Sequence, residues 1–453
     1  MIKQNKSRLL EFLYIAAISF LLLLFFSTST SPLYNSFGYD SIEYKLAGSA
    51  ILDGLVIFRD IFHQKGAVLF FIEAIGEALC RLIGDERFGT FIVQLINFFI
   101  TNCLIFNFTK KYINQSNNDS IPKCYSYIIP VATILFWLSS IDGGNLTEEY
   151  AILYCIISIG IALDYSSKLD KKSGELPEFH SRYGFIFGIC LAFACSLKPN
   201  CAIPIAACIL FVFVVLVINK RFASIFKNIV TGIAGMAVVF VPILLYYYKN
   251  NALDDLFEQT VIFNFKYIVD TKTLITAHDF KHTIMWGGAI ASITFLSIMC
   301  VFISKKKYTA SLSAVVCVMS AVMYIIIGVA WPQYMQLEAP ALFVLLCALC
   351  NVSKKKLSKF FVIAILAVAV LFSSARQLNY IVKRYNAGFK ENNLVVTQKI
   401  ESFYNGVNGI IDDSSNRQIV FVMSEAEKKI CLLSFSSVSV FKLFCIRVLY
   451  KAQ

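Results

Sequence analysis

The residues best equipped for chemistry in this chain are carboxylates and cations gathered in short polar stretches between long apolar runs. The first stretch reads Gly38-Tyr39-Asp40-Ser41-Ile42-Glu43-Tyr44. On a helix beginning near Asp40, Glu43 and Tyr44 share its face at i+3 and i+4, so a carboxylate can stand at a cleft as a general base or hold a divalent cation. The plainer reading of Asp40 is a helix cap. Next comes Arg59-Asp60-Ile61-Phe62-His63-Gln64-Lys65-Gly66. Arginine grips phosphate bidentately and lysine supplies a point charge, so Arg59, His63 and Lys65 suit a phosphate or diphosphate. Snorkelling toward anionic lipid is the alternative.

Three further stretches add to this set. Asp142-Gly143-Gly144-Asn145-Leu146-Thr147-Glu148-Glu149-Tyr150 puts two adjacent acids at the mouth of an apolar run. Acids near a bilayer call for a cation, a metal or a polar substrate, unless Thr147 and the glutamates are only a helix cap and its acidic first turn. Ser196-Leu197-Lys198-Pro199-Asn200 breaks an apolar stretch; the proline explains the break but not the lysine, which can bind an anionic group or snorkel. Trp331-Pro332-Gln333-Tyr334 offers groups for stacking on a sugar or for an interfacial belt. His278 and His282 stand at i and i+4 around Asp279 but lack the glutamate of a zinc-protease motif, so the surface reading prevails.

The elements that must position these residues are membrane-spanning helices. Of 453 residues 58% are hydrophobic and only 15% charged, with a mean hydropathy of +0.68, well away from a soluble domain. Apolar runs recur at the length needed to cross a bilayer. The net charge of +12 is clustered between those runs, as in loops facing anionic lipid, and points to no nucleic acid. The 14 cysteines form no C-x-x-C pair and sit mostly inside apolar runs as small hydrophobes.

Alternation of basic clusters gives about eleven crossings, an all-α polytopic fold: 9–27, 88–109, 125–141, 150–165, 183–197, 201–218, 229–248, 286–303, 309–330, 339–352 and 360–374. The first run lacks an A-x-A site and is expected to be an uncleaved span. Parity leaves out 67–83, whose Glu73, Glu77 and Arg81 at i, i+4 and i+8 mark an interfacial helix within a first outer loop, 28–87; the alternative is a span with its carboxylates turned inward. Residues 1–374 are expected to form the membrane domain and 375–453 a small extracytoplasmic region.

An Asp in the first outer loop, a basic H-x-K segment before an interfacial helix, and an acidic pair in the second outer loop together resemble the GT-C class of membrane glycosyltransferases. His63-Gln64-Lys65-Gly66 resembles the H-x-K-P-P stretch of the aminoarabinose and mannose transferase branch, with Gly66 and Ala67 where prolines are usual. The resemblance implies a multi-pass cell-membrane enzyme working at the extracytoplasmic face. Its donor would be a polyprenyl-phosphate-linked sugar and its acceptor a lipid-linked glycan, polymer or protein. It implies Asp40 as the catalytic carboxylate, assisting deprotonation of the acceptor hydroxyl or orienting it, with Glu148 and Glu149 completing the catalytic acidic cleft; Arg59, His63, Lys65 and Lys198 around the donor phosphate; and Tyr39, Glu43, Tyr44, Asp60, Gln64, Gln333 and Tyr334 around the substrates. A divalent metal at Asp40, Glu148 and Glu149 stays open. A transporter or flippase of a lipid-linked saccharide is the alternative, although such proteins place their charges near the bilayer midplane.

Overall fold

In the computed structural model the described residues are 2–34, 39–115, 123–171, 176–266, 277–304, 306–327 and 332–351, with a few positions beyond 381. They form helices α1 (Ile2–Phe26), α2 (Tyr39–Leu52), α3 (Ala67–Ile83), α4 (Phe88–Gln115), α5 (Tyr125–Leu138), α6 (Thr147–Leu169) and α7 (Ser181–Leu197). After them come α8 (Ile203–Ile218), α9 (Phe222–Lys249), α10 (Leu253–Phe257), α11 (Ala277–Ile303), α12 (Lys307–Ile327) and α13 (Glu338–Leu349). Two 3-10 turns, Pro199–Ala202 and Pro332–Leu337, and a π-turn, Glu258–Ile262, link some of them.

Seven of these helices contain stretches long and apolar enough to cross a membrane, and three more are shorter and apolar. A helix satisfies its backbone bonds internally, which is what a lipid surround requires. Packing follows the same logic. Phe222, Phe226, Ile233 and Tyr248 along α9 face outward, whereas α6 is enclosed, with Ile152, Ile156, Ile159 and Ala162 buried among its neighbours. Each of the first ten expected crossings coincides with an apolar helix. The eleventh, 360–374, lies outside the described residues, as does nearly all of 375–453, where Gln418–Ile419 pairs in parallel with Lys442–Leu443.

Small residues bring α7 and α9 together. Gly184 and Gly188 form a G-x-x-x-G pair, and a Cβ on Gly188 would lie 2.0 Å from the Gly232 carbonyl oxygen on α9. Such close backbone approach gives dispersion contacts that lipid tails cannot supply.

On α3 the two carboxylates of the charged stripe face inward, while Arg81 is exposed. Glu73 is buried and Glu77 mostly so, while Ile75, Leu82 and Ile83 face out. Arg81 reaches Asp53 at 2.9 Å, and Lys45 approaches Glu77 at 3.9 Å. The inward turn follows from α2, whose Lys45 and Ser49, with Asp53 just past its end, supply polar partners, leaving the apolar side to the surroundings.

Candidate active site

Four elements meet at one end of the bundle: the start of α2, the start of α6, the turn after α7, and the Pro332–Leu337 turn. Each arrives there for a local reason. The chain leaves α5 through Asp142, Gly143, Gly144 and Asn145, all with positive φ, a left-handed run that Gly and Asn adopt most easily. Asn145 then bridges two helices, donating to Ser41 Oγ of α2 (3.1 Å) and accepting from the Tyr150 hydroxyl of α6 (2.7 Å). The start of α2, and Asp40 with it, is thereby fixed beside the start of α6.

Asp40 Oδ2 accepts hydrogen bonds from the Tyr44 hydroxyl (3.2 Å) and the Gln333 amide (3.3 Å). The next residue of that turn, Tyr334, lays its ring over Lys198 with Nζ 4.1 Å from the centroid. Lys198 also bonds Glu148 Oε1 at 2.7 Å, both side chains being largely buried. Burial works against the Lys198 charge, but Glu148 and Tyr334 more than offset it, so its affinity for a proton rises above the ordinary lysine value. Asp40, Gln333, Tyr334, Lys198 and Glu148 thus form one chain of contacts between an acidic and a cationic side.

Lys65 joins this group through its backbone. Gly66 N–H donates to the Leu197 carbonyl at 2.9 Å, one residue before Lys198. A Cβ on Gly66 would stand 2.0 Å from the Ser196 carbonyl oxygen. The departure from proline at Gly66 therefore has a physical reason: proline lacks this donor, and any side chain collides with the end of α7. Burial, then the like charge of Lys198, pull Lys65 below the ordinary lysine value, partly countered by Asp40, Glu148 and Glu43. Among the described residues its ammonium makes no ion pair within 4 Å. A half-buried lysine in this state gains from an arriving anion.

The other expected site residues are distributed differently. Arg59 is bonded to Asp60 (2.9 Å) and the Asn250 carbonyl (3.0 Å), and Asp60 in turn accepts from Val56 N–H, so this pair shapes its own loop. His63 lies under α2: its Nδ1 accepts from Lys65 N–H (3.2 Å), its ring rests 4.6 Å from that of Phe70, and its Nε2 is 4.0 Å from Glu43. Burial, reinforced by Lys65, pushes the imidazole down to about 3, so the ring is neutral. Glu43 is half exposed, and partial desolvation, then the charge of Asp40, push its carboxyl up to about 7 against the pull of Lys65. Gln64 offers its backbone carbonyl to Asn264 (2.8 Å), and the side chain of Tyr39 lies outside the described set.

Glu149 parts from Glu148. Its carboxylate accepts from the Gln94 amide (2.6 Å) and from Leu146 N–H (3.1 Å), capping α6 and tying it to α4. With Glu149 so engaged and Glu148 already facing a lysine, the residues do not fit the metal set Asp40, Glu148 and Glu149. Among the described residues no group of three or more His, Cys, Asp or Glu is arranged for a metal. His278, Asp279 and His282 fall in the first turns of α11, whose side chains are outside the described set.

Sequence reasoning gave no role to Asn145, Gln94, Gln259 or Asn264. Gln259 bridges His63 N–H (2.9 Å) and the Phe58 carbonyl (2.7 Å), holding the 58–65 loop. Uncharged amides acquire meaning only from spatial neighbours, so no spacing pattern marks them.

The fold is that of a GT-C-like membrane protein. It is similar to the crystal structure of ArnT from Cupriavidus metallidurans bound to undecaprenyl phosphate, with a TM-score of 0.52 and 11% identity over 84% of this chain and 77% of that one. Comparison with curated proteins gives no significant sequence match. One family model, "Putative competence-induced protein Ccs4 N-terminal domain", matches residues 2–375, and the chain belongs to that family.

Proposed function

We propose that the chain is a membrane glycosyltransferase that moves a sugar from a polyprenyl-phosphate-linked donor to an acceptor hydroxyl at the outer face of the cytoplasmic membrane, with inversion at the anomeric carbon. The observation that carries this reading is the contact chain from Asp40 through Gln333 and Tyr334 to Lys198 and Glu148, with Lys65 beside it. It sets the Asp40 carboxylate apart from two lysines, Lys198 in an ion pair with Glu148 and Lys65 without one among the described residues, an arrangement suited to displacement of a phosphate. The ArnT neighbour, crystallised with undecaprenyl phosphate, supports a lipid phosphate as the leaving group.

In this reading Asp40, held by Tyr44 and Gln333, faces the reacting sugar and orients the acceptor. The acceptor hydroxyl gives up its proton to a carboxylate of the site as its oxygen bonds to the anomeric carbon and the carbon–oxygen bond to phosphate breaks. The electron pair leaves on the phosphate, where Lys65 receives the developing charge and Lys198 adds to the field.

The test is transfer by the purified full chain, supplied with a panel of polyprenyl-phosphate sugars and assayed for released lipid phosphate. Asp40→Asn is expected to abolish release while leaving membrane insertion intact. Full activity in that variant would refute the assignment.

A further inference from the structure

Asp40 and Glu43 lie one helical turn apart on α2, yet their surroundings differ. Asp40 Oδ2 is already engaged by two donors, Tyr44 and Gln333. Glu43 is half exposed, and the protein group poised toward it is His63, whose Nε2 sits 4.0 Å from Glu43 Oε2 without a hydrogen-bond partner. The tautomer of that ring follows from its other nitrogen. Nδ1 accepts the Lys65 amide proton, so the neutral ring must carry its own proton on Nε2, pointing at Glu43. A small swing of the exposed glutamate brings the pair to hydrogen-bond distance, about 3 Å. His63 is itself locked from below by Gln259 and Phe70.

Resting on the glycosyl-transfer reading above, we infer that Glu43 takes the proton from the acceptor hydroxyl, and that His63 is the positioning residue that aims it. Asp40 then orients the acceptor against the sugar, and Glu43 takes the acceptor's proton on the water-facing side. The acceptor O–H bond breaks with its proton passing to Glu43 Oε, the acceptor oxygen forms the new bond to the anomeric carbon, and the lipid phosphate leaves with the old bond's electron pair. Glu43 returns its proton to water through its exposed side. The same imidazole steadies the backbone of Lys65, so one side chain ties the acceptor base to the phosphate-binding lysine. The groups facing Glu43 are His63 and Lys65 from the loop and Asp40 from its own helix. Partial desolvation and the charge of Asp40 favour a carboxyl that exchanges protons near neutral pH, as a base in this role needs.

The experiment uses the full chain reconstituted in lipid with its active donor and a hydroxyl acceptor. Glu43→Gln is expected to slow turnover by about 100-fold or more, within the range for loss of a general base, with undecaprenyl phosphate binding changed less than ~2-fold and the acid limb of the pH–rate profile gone. Azide, an anionic acceptor with no proton to lose, should restore turnover to Glu43→Gln but not to Asp40→Asn. Glu43→Asp should keep the acid limb at a reduced rate. His63→Phe, which fills the same space, should shift that limb to higher pH. Wild-type turnover in Glu43→Gln beside a dead Asp40→Asn, or failure of azide to rescue, overturns the inference and leaves the transfer reading standing. Absence of transfer by the wild-type chain from every donor overturns both.

Discussion

Gly66→Ala is the smallest change that tests how the site is assembled. Its new methyl would sit 2.0 Å from the Ser196 carbonyl oxygen and 2.4 Å from that carbonyl carbon. Both neighbours are backbone at the end of α7, so no rotamer relieves the contact. To reach ordinary separation, the 64–66 segment or the end of α7 must retreat by about 1 Å or more. That retreat stretches the 2.9 Å bond from Gly66 N–H to Leu197 and carries Lys65 away from Lys198. Overpacking of this kind costs about 1–3 kcal/mol, and a 1 Å misplacement of catalytic groups costs about 100-fold in rate. The expected outcome is a chain that still inserts, melts lower in detergent micelles, binds undecaprenyl phosphate weakly and transfers sugar at about one-hundredth of the wild-type rate. Gly66→Pro, which also removes the donor, should be worse on every measure. Wild-type melting and lipid-phosphate affinity in Gly66→Ala would refute the reasoning, because the two backbones could then not be in the contact described.

The two neighbouring glutamates should separate cleanly. Glu149→Gln weakens the cap on α6 and its bond to Gln94, so it is expected to lower thermal stability by about 1–3 kcal/mol with donor affinity retained, measured by melting and lipid-phosphate binding. Glu148→Gln leaves the buried Lys198 charge without its partner and should alter donor-phosphate binding directly, read in the same binding assay. In the proposed reading Lys65 holds the donor phosphate, which a lysine does only when protonated, and its proton affinity is lowered. Donor affinity should therefore be full at low pH and fall as pH rises through the lowered lysine value, below 10.5. Lys65→Met should bind weakly at every pH and flatten that profile; an unchanged profile in Lys65→Met would assign the dependence to another group.

Much of the fold was legible because a bilayer leaves the backbone little choice. Runs such as Leu9–Phe26 and Pro199–Ile218 must be helical to satisfy their own amides. The orientation of α3 was harder to read: the i, i+4 pattern of Glu73 and Glu77 marks a charged stripe but not which way it turns, and that depended on Lys45 and Ser49 lying across from it. The same divide runs through the site. Asp40, Lys65, Glu148 and Lys198 stood out because charge beside apolar runs is costly without a purpose. Arg59 drew notice for the same reason, but its guanidinium is bonded to Asp60 and the end of α9. Charge type announces that a partner exists, while only geometry says which. Asn145, Gln94 and Gln259 were silent in the sequence, being uncharged.

The Pro332–Leu337 turn touches Asp40 with one residue and Lys198 with the next. It works as a two-toothed key, so its register matters more than either tooth. Replacing one side chain removes a single contact, but inserting or deleting one residue would rotate both teeth out of their slots together and unclip the acidic wall from the basic one. Length in this short segment is therefore a tighter constraint than composition, and natural variation within it should favour substitutions over gaps.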